Sequence, residues 1–188
     1  MNQFVLIPKK LRELDSKHRY LDIAVYFTIR CFLNGRNACI SYKKIKEKIH
    51  INDRDIKTAI TELKDNKLLT YRYKDSVNND FVYNEYYFDK SLDKHFEMVG
   101  IDLLKCNLKA KQIGILIYLK LNSVSNWFRF KDYKELGSNL GVSRQTASKY
   151  INELSDFIEP SKAGGVHFIN KIFTFKDKEE TTKKLIQL

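Results

Sequence analysis

A chain that carries one pattern of apolar residues twice is constrained to fold one unit twice, and this chain carries such a pattern. Ile45, Ile49, Ile51, Ile56, Ile60 and Leu63 recur 91 positions later as Leu136, Leu140, Val142, Ala147, Ile151 and Leu154. Tyr42, Lys43 and Glu62 recur as Tyr133, Lys134 and Glu153 at the same offset. Upstream the offset is 92: Phe4, Leu6, Ile7 and Leu11 match Phe96, Met98, Val99 and Leu103, while Leu21, Ile23, Val25 and Tyr26 match Ile113, Ile115, Ile117 and Tyr118. The one-residue slip falls in a loop. A chain of 188 residues is long enough for two small cores.

Each copy opens on an extended lead, which in the first ends at Pro8. A mostly apolar segment around residues 21–27 then reads as a buried helix ending near Gly35, and residues 38–40 read as a short strand. In the second copy Leu136 and Leu140 share one face of a short helix, Gly141 supplies a residue that turns at positive φ, and Val142 plugs the turn. Ser143 caps the next helix, whose buried stripe is Ala147, Ile151 and Leu154. Arg144, Gln145, Ser148, Lys149 and Asn152 are left facing outward.

Alternation of large apolar residues around turn-forming clusters predicts a hairpin after each helix pair. The first takes residues 69–73 and 81–83 around a turn at 75–80, with 86–88 beyond. The second takes 157–158 and 166–169 around 160–165, with 172–175 beyond. Tyr71 and Tyr73 are expected to cover the core, and Trp127, Phe128 and Phe130 to pack inside. The expected class is α+β, mainly α, with units at 1–92 and 93–175 and a helical tail at 176–188. The tail's Leu185, Ile186 and Leu188 would pack on the body or on a second subunit. The boundary falls in the polar stretch 89–95.

A balance of 34 Lys and Arg against 23 Asp and Glu, a net charge of +11, makes the surface attractive to a polyanion. Hydrophobic residues at 43% exclude a disordered chain. Cys31, Cys39 and Cys106 are odd in number and lack paired metal spacing, which argues against a disulfide framework and points to a reducing cytoplasm. The apolar runs at 4–7 and 113–119 are too short for a secretion signal or a membrane span. The glycines form neither a phosphate loop nor a dinucleotide fingerprint. His18, His50, His95 and His167 are scattered, and the grouping of Asp89, Asp93, His95 and Glu97 is expected to be a solvated connection rather than a metal site. No catalytic residues, cofactor, metal or small-molecule ligand are expected.

Residues 133–154 resemble a helix-turn-helix, and three helices plus a hairpin in each copy resemble tandem winged-helix DNA-binding proteins. That group includes plasmid and phage replication initiators and small regulators of mobile elements. The lead Phe4-Val5-Leu6-Ile7-Pro8 is similar to openings of initiator-type winged helices. The resemblance implies two winged helices forming a pseudo-dimer, double-stranded DNA as partner, and a transcriptional regulator, with homodimerisation left open. An origin-binding initiator or a conjugation accessory protein is the alternative.

On that reading Arg144 and Gln145 reach base edges, Ser143, Thr146, Ser148 and Asn152 complete the face, and Lys149, Lys162 and Lys171 meet phosphates. Arg54, Lys57, Thr58, Thr61 and Lys64 hold the corresponding helix of the first copy, with Arg72 and Lys74 on its hairpin. Asn52 caps that helix, and Asp53 and Asp55 favour the positive end of its dipole. The same carboxylates would meet phosphates, so the second copy is expected to read better. The alternation of Tyr71, Arg72, Tyr73 and Lys74 leaves single-stranded nucleic acid as the runner-up partner, without a recognisable stacking platform.

Overall fold

The lead segments of the two copies pair with each other. β1 (Phe4–Pro8) and β2 (Phe96–Gly100) form an antiparallel two-stranded sheet in the computed structural model, which describes residues 3–35, 37–74 and 83–174. Phe4 lies opposite Gly100, Leu6 opposite Met98 and Pro8 opposite Phe96. Exchanging each residue for its mate 92 positions away returns the same register. The flanking bonds interchange too: Lys9 N–H donates to His95 O at 2.8 Å, and Ile101 N–H to Gln3 O at 3.0 Å. A self-mating contact of this kind is what a two-fold axis produces.

The helices after these strands cross. Nearly every residue of α1 (Arg19–Arg30) is buried, as is most of α2 (Ala110–Leu121), as expected of helices that are apolar all round. They approach so closely that a Cβ on Gly114 would stand 1.8 Å from the Tyr20 carbonyl oxygen. Tyr20 packs edge-on against Tyr118 at 5.5 Å between ring centroids, and its buried hydroxyl donates to Leu140 O at 2.8 Å. One hydrophobic core therefore runs through both halves.

Beyond the crossing, each half continues in the same order. The first has β3 (Leu33–Asn34), β4 (Asn37–Ile40), α3 (Tyr42–Ile49), α4 (Asp53–Asp65), β5 (Thr70–Lys74) and β6 (Tyr83–Tyr87), with sheet order β3-β4-β6-β5. The second has β7 (Trp127–Phe128), α5 (Tyr133–Leu140), α6 (Arg144–Glu153), β8 (Ile158–Pro160) and β9 (Val166–Phe168), with order β7-β9-β8. In each, the strand between the first two helices pairs with the last strand of the hairpin. The chain is thus α+β, with six α-helices and small antiparallel sheets among the described residues. The expected boundary coincides with a 3-10 turn at Lys90–Lys94.

Several expectations need correction. α1 stops at Arg30 rather than near Gly35, because the chain makes an extra tight hairpin of β3 on β4 there, with Gly35 at φ 65°. Residues 172–173 are not a strand. Ile172 and Phe173 N–H groups bond the side chain and carbonyl of Asn170, each at 3.0 Å, in a turn that buries Phe173 between Phe157 and Phe168. Filling that aromatic pocket outweighs continued alternation. Trp127 does not pack inside with Phe128 and Phe130. It lies on the outer sheet face, stacked on His167 at 5.1 Å with the Arg129 guanidinium 3.9 Å from its ring centroid. Tyr71 covers the core only in part, being 38% exposed while leaning on Tyr86.

Glu97 is not solvated: it is buried, with Lys120 Nζ at 3.7 Å and Lys9 Nζ at 3.3 Å. The turn at 75–80, residues 81, 82 and 175, the Tyr73 side chain and the tail at 176–188 lie outside the described residues. One buried acid was not anticipated. Asp22 on α1 has no solvent exposure and neither carboxylate oxygen has a hydrogen-bond partner. Burial pushes its carboxyl from an ordinary 3.8 up to about 6, with Glu62 adding to the rise and Ser16 and His18 opposing it.

Candidate nucleic-acid interface

The helix pair α5–α6 is fixed at both ends of its turn. Asp132 caps α5 by accepting the N–H groups of Lys134 and Glu135, each at 2.9 Å. Those backbone bonds, the one from Glu135 foremost, hold its carboxyl below the ordinary range, and nearby Lys131 and Arg144 act in the same direction. Gly141 closes α5 in the left-handed region at φ 65°, and Val142 N–H donates back to Gly137 O at 2.8 Å. Ser143 then caps α6, its hydroxyl accepting Thr146 N–H at 3.2 Å. Leu136, Leu140, Ala147, Ile151 and Leu154 are buried as the spacing requires.

The outward face of α6 forms a shallow concavity with the start of α5. Its lining is Tyr133, Arg144, Gln145, Ser148, Lys149, Asn152 and Glu153. All five residues expected to face outward are therefore together. Thr146 and Ser143 are not part of the lining; their hydroxyls lie 2.9 Å apart at the cap. Lys162 sits exposed in the β8–β9 turn, and Lys171 is exposed in the turn after β9; neither lines the concavity. The β8–β9 turn is anchored from the sheet, since Trp127 Nε1–H donates to Gly164 O at 3.0 Å.

Two lining residues were missed. Glu153 and Tyr133 were visible as repeat positions but not as part of a surface. Glu153 lies 3.7 Å from Lys149 Nζ and accepts from Gln112 Nε2 at 3.0 Å. Lys149 is 73% exposed, so this ion pair holds it weakly and leaves it available to a stronger anion. Tyr20 was missed as well. Its hydroxyl reaches the last residue of α5 from the other half of the chain, which no periodicity in either copy could reveal.

In the first half Asn52, Arg54, Asp55 and Thr58 of the α4 start form a second concavity, bordered by His18 and Leu21. Asn52 accepts Asp55 N–H at 2.8 Å and its amide donates to Asp55 Oδ2 at 3.0 Å, while Asp53 is 3.9 Å from Lys46 Nζ. Asp55 is thus engaged within the fold, whereas the long, exposed pair with Lys46 holds Asp53 only weakly. Lys57, Thr61 and Lys64 are exposed on α4 away from that concavity; the Thr61 hydroxyl donates to Lys57 O at 3.0 Å, and Lys64 Nζ lies 5.9 Å from the Tyr71 ring centroid. Arg72 is exposed on β5, 5.7 Å from the Tyr87 ring, and the Lys74 side chain lies outside the described residues.

Among the described residues no group of three or more His, Cys, Asp or Glu is placed to hold a metal ion, and no helix is long and apolar enough to cross a membrane. No protein-family model, curated protein or solved structure matches this chain.

Proposed function

We propose that this chain is a sequence-specific double-stranded-DNA-binding protein built from two tandem winged helices, acting without a cofactor as a transcriptional regulator. The observation that carries the reading is the α6 face. Arg144, Gln145, Ser148, Lys149 and Asn152 line one concavity above a helix pair set by an Asp cap, a left-handed glycine and a Ser cap. Arg and Gln pair bidentately with guanine and adenine edges in the major groove, whereas Ser and Lys position the helix on phosphates. The helix–strand–helix–helix–hairpin order of each half supports a winged helix, with the β8–β9 turn and Lys162 as the wing. A net charge of +11 supplies the long-range attraction.

Affinity for duplex and for single strands across a salt series tests this reading. Duplex binding should be preferred and should weaken steeply with salt, because each phosphate contact releases counterions. A flat salt response, or preference for single strands, would refute it.

A further inference from the structure

The pairing of the two leads imposes a two-fold on the halves, and the helices that follow meet close to it. In the β1–β2 pair the central residues, Leu6 and Met98, are mates at an offset of 92, the register on either side mirrors itself, and the flanking Lys9 and Ile101 bonds interchange. α1 and α2 approach backbone to backbone where Tyr20 meets Gly114. Tyr20 is one residue before Leu21 and Gly114 one residue after Ile113, so this approach lies beside a pair of mates at 92. Halves related by translation would pair their leads in parallel; the observed pairing is antiparallel, as a two-fold requires. Downstream of the lead pairing the elements follow in the same order in each half, ending in each on a helix pair and a hairpin.

We infer that the DNA target is an imperfect inverted repeat, read by a single chain whose internal two-fold coincides with a dyad of the duplex. The inference rests on the DNA-binding reading above. A duplex carries two-fold axes perpendicular to its own axis, so readers related by a two-fold meet their half-sites in opposite strand directions. Half-sites running in the same direction need readers related by translation. Successive major grooves on one face then set the arm centres about 34–36 Å apart. The arms differ because the readers differ: α6 presents Arg144 and Gln145, whereas α4 presents Arg54 between Asp53 and Asp55.

The test is selection of duplexes from a random library by the full-length chain, followed by rebuilding the enriched motif with one arm reversed at constant spacing and composition. The expected motif has two unlike arms in opposite orientation, and reversing one arm weakens binding by about tenfold or more. Arg144→Ala and Arg54→Ala should each erase base preference in a different arm. Arms running in the same direction, a one-armed motif, or equal binding of the reversed duplex would overturn the inference while leaving duplex binding in place. Absence of any duplex enrichment would overturn the DNA reading and this inference with it.

Discussion

Gly114→Ala places a methyl group where two backbones touch. In an ordinary helix interior this exchange stabilises by roughly 0.5–1 kcal/mol, because alanine gives up less backbone freedom on folding. Here the added Cβ would stand 1.8 Å from Tyr20 O, 2.6 Å from Tyr20 C and 2.8 Å from Tyr20 Cα. All three are backbone atoms, so no side-chain rotation relieves the overlap, and α1 has to withdraw from α2. Withdrawal disturbs the Tyr20–Tyr118 ring pair and the Tyr20 hydroxyl bond to Leu140 O. Overpacking a dense interior costs about 1–3 kcal/mol and loss of the hydrogen bond about 1 more, which outweighs the helix-propensity gain. The expected net loss is about 1–3 kcal/mol, and at roughly 2–4 °C per kcal/mol for a chain of this size Tm should fall by about 2–12 °C. Thermal unfolding followed by circular dichroism measures it. An unchanged or raised Tm would refute the close crossing and, with it, the shared core.

Three further outcomes follow from single residues. Asp22 titrates at about 6 in the fold against an ordinary 3.8, so the fold favours its neutral form: stability is highest, as far as this group goes, below about pH 4 and declines as pH rises through 6. Asp22→Asn should flatten that decline and raise stability at pH 7 by up to about 3 kcal/mol; urea unfolding at about pH 4 and about pH 7 checks it, and an unaltered pH profile would contradict it. Tyr20→Phe keeps the ring but removes the donor to Leu140 O, and should lower the urea midpoint by the equivalent of about 1 kcal/mol, with Tyr20→Ala costing considerably more. His50 closes α3 at φ 52° where Gly141 closes α5, so His50→Gly should stabilise by about 1 kcal/mol, and a loss of stability would show that its imidazole has a structural partner.

The helices of both copies were legible because their caps and apolar spacings are local. Ser143 and Asn52 cap as read, and the stripe from Leu136 to Leu154 is buried except for the half-exposed turn plug Val142. The strand at Asn37–Ile40 and the hairpin arms at Thr70–Lys74 and Val166–Phe168 followed from alternation, whereas Tyr83–Tyr87 runs as one strand where 81–83 and 86–88 were expected apart, and Pro160 ends a strand rather than opening the turn. The same alternation, applied strictly, would have placed Trp127 and Arg129 on the outer face, since Phe128 and Phe130 occupy the inner one. What joins the halves was not legible. Pairing of the two leads and the α1–α2 crossing depend on residues about ninety positions apart, and periodicity within one copy carries no information on them. The one local signal was Gly114, a glycine inside a helical apolar run, which commonly marks a close approach. Glu97 and Asp22 escaped for a related reason: a carboxylate reads as surface until tertiary packing puts it elsewhere.

The central claim is that α6 reads bases while the β8–β9 turn holds the backbone. The direct measurement compares wild type, Arg144→Ala and Lys162→Ala on a selected duplex and on a scrambled duplex of equal length. Arg144→Ala should lose about 1–3 kcal/mol on the selected duplex and little on the scrambled one, whereas Lys162→Ala should weaken both alike and make the salt slope shallower by about 1. Wild-type affinity of Arg144→Ala for the selected duplex would contradict the account.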